Sequence, residues 1–391
     1  MSSEYREFAT LSGPQDGLLS LSFSPNGKFI VATGYGGVCI WDVGLQQRVS
    51  IPAPPSVLTV KHVYTRSAWL FYEATGLYVL VLGSQRGDIV LWQWNASDGA
   101  FKQSAFVRLS EEEAEVLSLD VRRRTVPLDE RGCLVVATNN NWIYMYTVSS
   151  TTNKLHYKWS THLLPTARPR TIMFDASSRV VLAFAEVGGN LVRLNSEGGT
   201  VIGSRHDGPQ TMLSVTVDHA KTVFAAYTGS AFEILALTKQ KRIKTIASDT
   251  PYVYYPMYTS FGESDTVLLA GTDKGRAVLY DVEDGSVRQT FPYPKGGLVQ
   301  QVATCTTHDA HYVAFAGSSM DRPADVILYQ KKCGDDPETE QTPPPGPSEA
   351  TLWTRMTDRL RDVAYWGLMF GVLAFCFHNN TLVCAIVLVS P

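Results

Sequence analysis

Residues 17–43 read Gly-Leu-Leu-Ser-Leu-Ser-Phe-Ser-Pro-Asn-Gly-Lys-Phe-Ile-Val-Ala-Thr-Gly-Tyr-Gly-Gly-Val-Cys-Ile-Trp-Asp-Val. Apolar and polar residues alternate from Leu18 to Phe23, the period of a half-buried strand. Ser24-Pro25-Asn26-Gly27 is turn chemistry, and Lys28–Thr33 resumes an apolar run. Gly34-Tyr35-Gly36-Gly37 breaks the chain again before Val38–Val43. The stretch therefore predicts three antiparallel strands joined by two tight turns.

The same unit recurs six times. Its third strand ends at Leu91-Trp92, Met145-Tyr146, Arg193-Leu194, Ile234-Leu235, Leu279-Tyr280 and Leu328-Tyr329, so successive anchors lie 41–54 residues apart. A small apolar strand precedes each anchor, as at Val79–Leu82, Leu134–Ala137 and Val267–Ala270. A fourth strand is predicted after six of the seven anchors: Gln47–Ile51, Ala105–Leu109, Leu155–Thr161, Thr200–Ser204, Arg242–Ala247 and Val287–Phe291. The seventh repeat has none, because Lys331-Lys332 runs into an acidic, Pro-rich segment. Tyr5–Leu11 is an orphan strand ahead of the first repeat. Donating it to the seventh repeat completes the count and removes an open edge.

Seven such units predict an all-β chain, a seven-bladed β-propeller closed by its N-terminal strand over residues 1–332. Two separate β-sandwiches would not explain the even spacing. The turn Ser24-Pro25-Asn26-Gly27, the strand end Ile40-Trp41-Asp42-Val43 and its variant Leu279-Tyr280-Asp281-Val282 resemble the WD-repeat family over roughly residues 4–332. The chain has one Trp-Asp dipeptide and no Gly-His dipeptide. The resemblance implies assembly or adaptor work; its motifs are sparse, so the fold expectation rests on the periodicity.

The chain has 391 residues, which at about 150 residues per domain suggests two or three domains. The repeats instead put most of it into one ring. Hydrophobic residues make up 45% and aromatics 11%, too many for a disordered chain. A net charge of −3 argues against nucleic acid as a partner. Six cysteines without a Cys-x-x-Cys pair predict reduced thiols and no zinc ribbon. Met1–Glu7 lacks the apolar run of a secretory signal, which places the propeller on the cytosolic side.

Residues 333–347 form an acidic, Pro-rich linker. Residues 348–391 predict a C-terminal helix, with Leu352, Met356, Leu360 and Val363 on one face and Arg355, Arg359 and Arg361 beside it. The apolar stretch 363–389, interrupted by His378-Asn379-Asn380-Thr381, is long enough for a tilted membrane span of ~20 residues. The arginines would sit at the cytosolic headgroups. The rival expectation is a helix packed on the ring.

No catalytic motif is found: no Gly-x-Ser-x-Gly elbow, phosphate loop or His-Glu-x-x-His helix. Gly34–Gly37 lies between strands, so it reads as a hairpin and not a dinucleotide site. His308-Asp309-Ala310-His311 has two imidazoles and no identifiable third ligand. Arg122-Arg123-Arg124 falls on the hairpin after the third repeat's first strand and reads as a solvated loop. No catalytic residue, cofactor or metal is expected.

What remains is the rim that gathers the loops entering each first strand and those joining second to third strands. It collects Arg168, Pro169, Arg170, His206, Tyr252, Tyr254, Tyr255, Tyr293 and Lys295. Tyr and Arg are the residues most enriched at binding hot spots. Arg168, Arg170, Tyr252, Tyr254, Tyr255, Tyr293 and Lys295 are the candidate partner-binding residues, although some of the tyrosines are expected to point into the core. The sequence thus favours a monomeric, non-catalytic scaffold that binds other proteins and is held at a membrane through residues 363–389. Two rival readings are an enzyme acting at the channel mouth and a soluble lipid-binding propeller.

Overall fold

A computed structural model describes residues 4–333, apart from 54–61, 129, 150–153, 240 and 319–322. The described residues form seven sheets in chain order, antiparallel except for one short parallel pair in the second. Blade 1 comprises Leu18–Phe23, Phe29–Gly34, Gly37–Asp42 and the short Gln47–Arg48. Blades 2 to 6 begin at Tyr64–Tyr72, Val116–Val121, Pro169–Phe174, Ser214–Val217 and Thr259–Gly262. Blade 7 holds Val299–Thr306, Ala310–Gly317 and Val326–Lys332. Each blade's first strand touches the first strands of both neighbours, and that of blade 7 touches that of blade 1. The first strands therefore line a central channel, and the fold is a seven-bladed β-propeller.

Closure is as the orphan strand predicted. Arg6–Leu11 pairs antiparallel with Val326–Lys332, from Arg6 opposite Gln330 to Leu11 opposite Val326. Tyr5 fixes its start: its N–H donates to Gln289 Oε1 at 2.9 Å, and Gln289 Nε2 donates to the Tyr5 carbonyl at 2.8 Å.

No blade buries its own faces, so the core is a set of seven layers between neighbours. Blades 1 and 2 meet at Phe29, Ile40, Trp69 and Leu80. Blades 4 and 5 meet at Leu182, Phe184, Phe224 and Leu235. Blades 7 and 1 meet at Leu11, Phe23, Ala314 and Val326. The 45% hydrophobic content goes largely into these layers, as small and β-branched residues that let twisted sheets pack face to face.

Two sets of β-bulges recur around the ring. One lies where the fourth strand passes Leu91/Trp92, Met145/Tyr146, Arg193/Leu194, Ile234/Leu235 and Leu279/Tyr280. These are the anchor dipeptides of the sequence repeat. An extra residue on the outer strand raises the local twist there, as a blade edge requires. The second set lies at the start of the first strand in five blades, at Leu18/Ser20, Tyr64/Arg66, Val116/Ser118, Pro169/Thr171 and Val299/Gln301. It re-aims side chains at one mouth of the channel.

Three local expectations differ from the structure. The fourth strand of blade 1 is Gln47–Arg48 and not Gln47–Ile51. The fourth strand of blade 2 starts earlier than predicted, at Ala100. The Arg122-Arg123-Arg124 segment is no simple solvated hairpin, because Thr125–Val126 doubles back as a fifth, parallel strand beside Phe71–Tyr72 of blade 2. The linker expected over 333–347, apart from Cys333, and the C-terminal helix expected over 348–391, with its apolar stretch 363–389, lie outside the described residues. Among the described residues no helix is long and apolar enough to cross a membrane.

Candidate functional site

The rim predicted from the sequence has two parts in the structure, a tyrosine ledge and a cationic channel mouth. The ledge is the link between blades 5 and 6. Tyr252, Val253, Tyr254 and Tyr255 are consecutive and 79%, 42%, 68% and 56% exposed, the longest run of exposed large apolar residues described. It is nonetheless built. The Asp273 carboxylate accepts the Tyr252 N–H and, at 3.0 Å, the Val253 N–H. Lys274 Nζ sits 4.6 Å from the centre of the Tyr252 ring, within cation–π range. The Tyr254 ring covers Gly229 so closely that a Cβ there would lie 2.6 Å from it, and the φ of +97° at Gly229 also demands glycine.

Three residues beyond the ledge, Tyr258 enters the channel mouth and meets two arginines from other blades. Arg66 Nη2 donates to the Tyr258 hydroxyl oxygen at 2.7 Å, and Arg170 Nη2 donates to the same oxygen at 3.3 Å. Backbone carbonyls fix both guanidinium groups. Arg66 donates from Nε to Leu117 at 2.6 Å, and from Nη1 to Leu19 at 3.0 Å and Thr65 at 2.6 Å. Arg170 donates from Nε to Leu213 at 2.7 Å. Arg170 is the bulged residue of its strand and Arg66 follows the bulged Thr65, so the bulge is what turns both inward. Two cations at ~6 Å repel by on the order of 3 kcal/mol at an effective dielectric near 20. The carbonyl dipoles hold them there despite that.

The other predicted rim residues separate from this pair. Arg168 faces Glu186 at 3.7 Å, and His206 is bound to Asn190. Lys295 is held by Asp325 and the Pro323 carbonyl, both at 2.8 Å. Tyr293, expected on the rim, is 4% exposed. Its ring packs against Phe315 and its hydroxyl donates to the Asp325 carbonyl at 3.2 Å, which makes it part of the core between blades 6 and 7. Arg66 and Tyr258 were not singled out from the sequence. The only trace of Arg66 there is a charged residue at the head of an otherwise uncharged strand, Tyr64–Tyr72.

At the opposite mouth Arg124 crosses from blade 3 to donate to the Phe23 carbonyl of blade 1. It faces a channel volume of about 290 Å³ lined by Ser22, Ser67, Ser260 and Thr304 among others. Its side chain keeps exposure to the channel, but inner strands surround it, and the resulting desolvation lowers the pKa of its guanidinium. Burial also raises the pKa of the nearby Asp120 carboxyl, against the pull of Lys221 and an accepted Phe174 N–H at 2.9 Å. A raised folded-state pKa means that the ionised form costs stability above that pKa, and the cost fades as pH falls toward the unfolded value. Asp120→Asn keeps the acceptor for Phe174. It is therefore expected to raise the melting temperature at pH 7, by a margin that shrinks as the pH approaches 4. A fall at pH 7 would show that the attraction of Asp120 to Lys221 and Arg124 outweighs its burial.

Arg122 pairs with Glu197 at 3.3 Å and Arg123 with Glu130 at 2.8 Å. His308 pairs with its neighbour Asp309 at 2.8 Å, and His311 Nδ1 is 3.0 Å from the Thr306 hydroxyl. Among the described residues no three of His, Cys, Asp and Glu converge as metal ligands. Comparison with models of known families and with curated proteins finds no match to this chain.

Proposed function

We propose that this chain is a non-catalytic, WD-repeat-type scaffold that works as a single ring in the cytosol. In this reading the tyrosine ledge and channel mouth receive a partner protein, and residues 363–389 tether the ring to a membrane. One observation carries the docking part. Four consecutive large apolar residues stand in solvent, and a carboxylate and a lysine hold them there without serving the core. Surface tyrosines so placed bury large area at low entropic cost when a partner arrives. The tether is supported by the apolar composition of 363–389 and by the flanking Arg355, Arg359 and Arg361.

The two parts separate experimentally. A reporter fused to residues 340–391 is expected to stay in the membrane pellet after carbonate extraction, and release into the soluble fraction overturns the tether. In the full chain, replacing Tyr252, Tyr254 and Tyr255 together by Ala is expected to leave the melting temperature nearly unchanged, since surface substitutions usually cost within about 0.5 kcal/mol. The same variant is expected to lose the proximity-labelled neighbours of the wild type. An unchanged set of neighbours overturns the ledge as the docking face.

A further inference from the structure

Arg66 and Arg170 put two full charges into the channel mouth, and among the described residues neither has a carboxylate within ion-pair distance. Both are partly exposed, so an anion can reach them from solvent. Each guanidinium has five N–H donors. Arg66 uses four of its five, on three carbonyls and Tyr258. Arg170 uses two, on Leu213 and Tyr258. Four donors are left, on two guanidinium groups that meet at the Tyr258 hydroxyl and are anchored by backbone carbonyls. Resting on the docking reading above, we propose that this pair receives the carboxylate of a single Asp or Glu on an extended partner segment that lies along the Tyr252–Tyr255 ledge.

Three features favour a side-chain carboxylate. A carboxylate offers about four lone-pair sites, matching the four unused donors. Its planar fork suits guanidinium groups fixed in orientation, and charge-assisted hydrogen bonds of this kind are the strong ones. The apolar ledge begins only three residues from Tyr258 on the same face, so a short peptide reaches both with an acid and an apolar side chain. Binding also relieves the repulsion between the two arginines, so affinity gains at this point without new order in the ring.

The test uses the full-length protein and a random, unphosphorylated peptide library displayed on phage. The selected peptides are expected to share an Asp or Glu at fixed spacing from an aromatic or large apolar residue. In a synthetic copy, changing that acid to Gln is expected to weaken binding to the wild type about tenfold or more. Arg170→Gln is expected to cost the same factor and to abolish the difference between the acidic and Gln peptides. The Glu-to-Gln comparison on the unaltered protein keeps the proposal testable should Arg170→Gln fold poorly. The triple Ala ledge variant is expected to weaken both peptides equally. Selected peptides without a shared acid overturn this inference and leave the docking face standing, whereas no selection at all overturns both. An acid dependence that survives Arg170→Gln places the acid elsewhere and overturns the assignment. Displacement of the acidic peptide by millimolar inorganic phosphate, with a phosphoserine peptide binding more tightly than its Glu counterpart, makes the site a phosphate receptor and likewise overturns it.

Discussion

Deleting residues 1–12 is expected to lower the melting temperature of the ring by roughly 10 °C or more, at a few degrees per kcal/mol. The deleted strand, Arg6–Leu11, is the outer edge of blade 7. Its loss uncovers Val326–Gln330, most of the last strand of blade 7. Two fully packed side chains go with it, Leu11 from the layer between blades 7 and 1 and Tyr5 from the layer between blades 6 and 7, each worth about 1.5–3 kcal/mol. The ladder and the paired Tyr5–Gln289 bonds add about 1 kcal/mol apiece. The sum is a large share of the 5–15 kcal/mol that holds a typical domain. The exposed edge is also a template for another chain, so the truncated protein is expected to associate on heating. Calorimetry of the full and truncated chains decides it. An unchanged transition would mean that blade 7 does not need its fourth strand.

This closure was readable because it follows from counting: a repeat missing its last strand and a strand missing its repeat. The anchor dipeptides were readable for a deeper reason than their apolar character. They sit opposite the outer-strand bulges, where the twist of each blade constrains which side chains fit. The channel mouth was not readable in the same way. Whether Arg66 points inward depends on a bulge at Thr65 that shifts the register by one residue, and one residue exchanges the two faces of a strand. The tyrosines show the same limit. Tyr254 and Tyr293 both lie in Pro-containing links and are both expected on the rim, yet Tyr254 lies over Gly229 in solvent and Tyr293 packs under Gly317 against Phe315. Which tyrosine is covered depends on the neighbouring blade, which local sequence does not describe.

Phe29→Ala is expected to cost about 3–5 kcal/mol, the upper end of what a single truncation in a packed core removes. Phe29 opens the second strand of blade 1 and is fully buried. Four rings of blade 2 surround it: Trp69 at 6.1 Å and nearly parallel, Tyr78 at 5.2 Å, Trp94 at 4.9 Å and Phe101 at 5.3 Å. Little of that wall can move in to fill the space. Trp69 Nε1 donates to Ser22 at 3.2 Å, and Asn26 Nδ2 donates to the Tyr78 hydroxyl at 2.5 Å, so two of the four rings are pinned from blade 1 itself. A cavity that cannot collapse keeps its full cost. Losing the edge-on contacts with Tyr78 and Phe101 adds about 0.5–1.5 kcal/mol per pair to the lost area. Phe106, on the outer strand of blade 2 and 52% exposed, is the matched control, and Phe106→Ala is expected to change stability by no more than about 0.5 kcal/mol. Denaturant unfolding of the two variants beside the wild type measures the contrast. Equal losses would mean that the aromatic layer between blades 1 and 2 is not what binds them together.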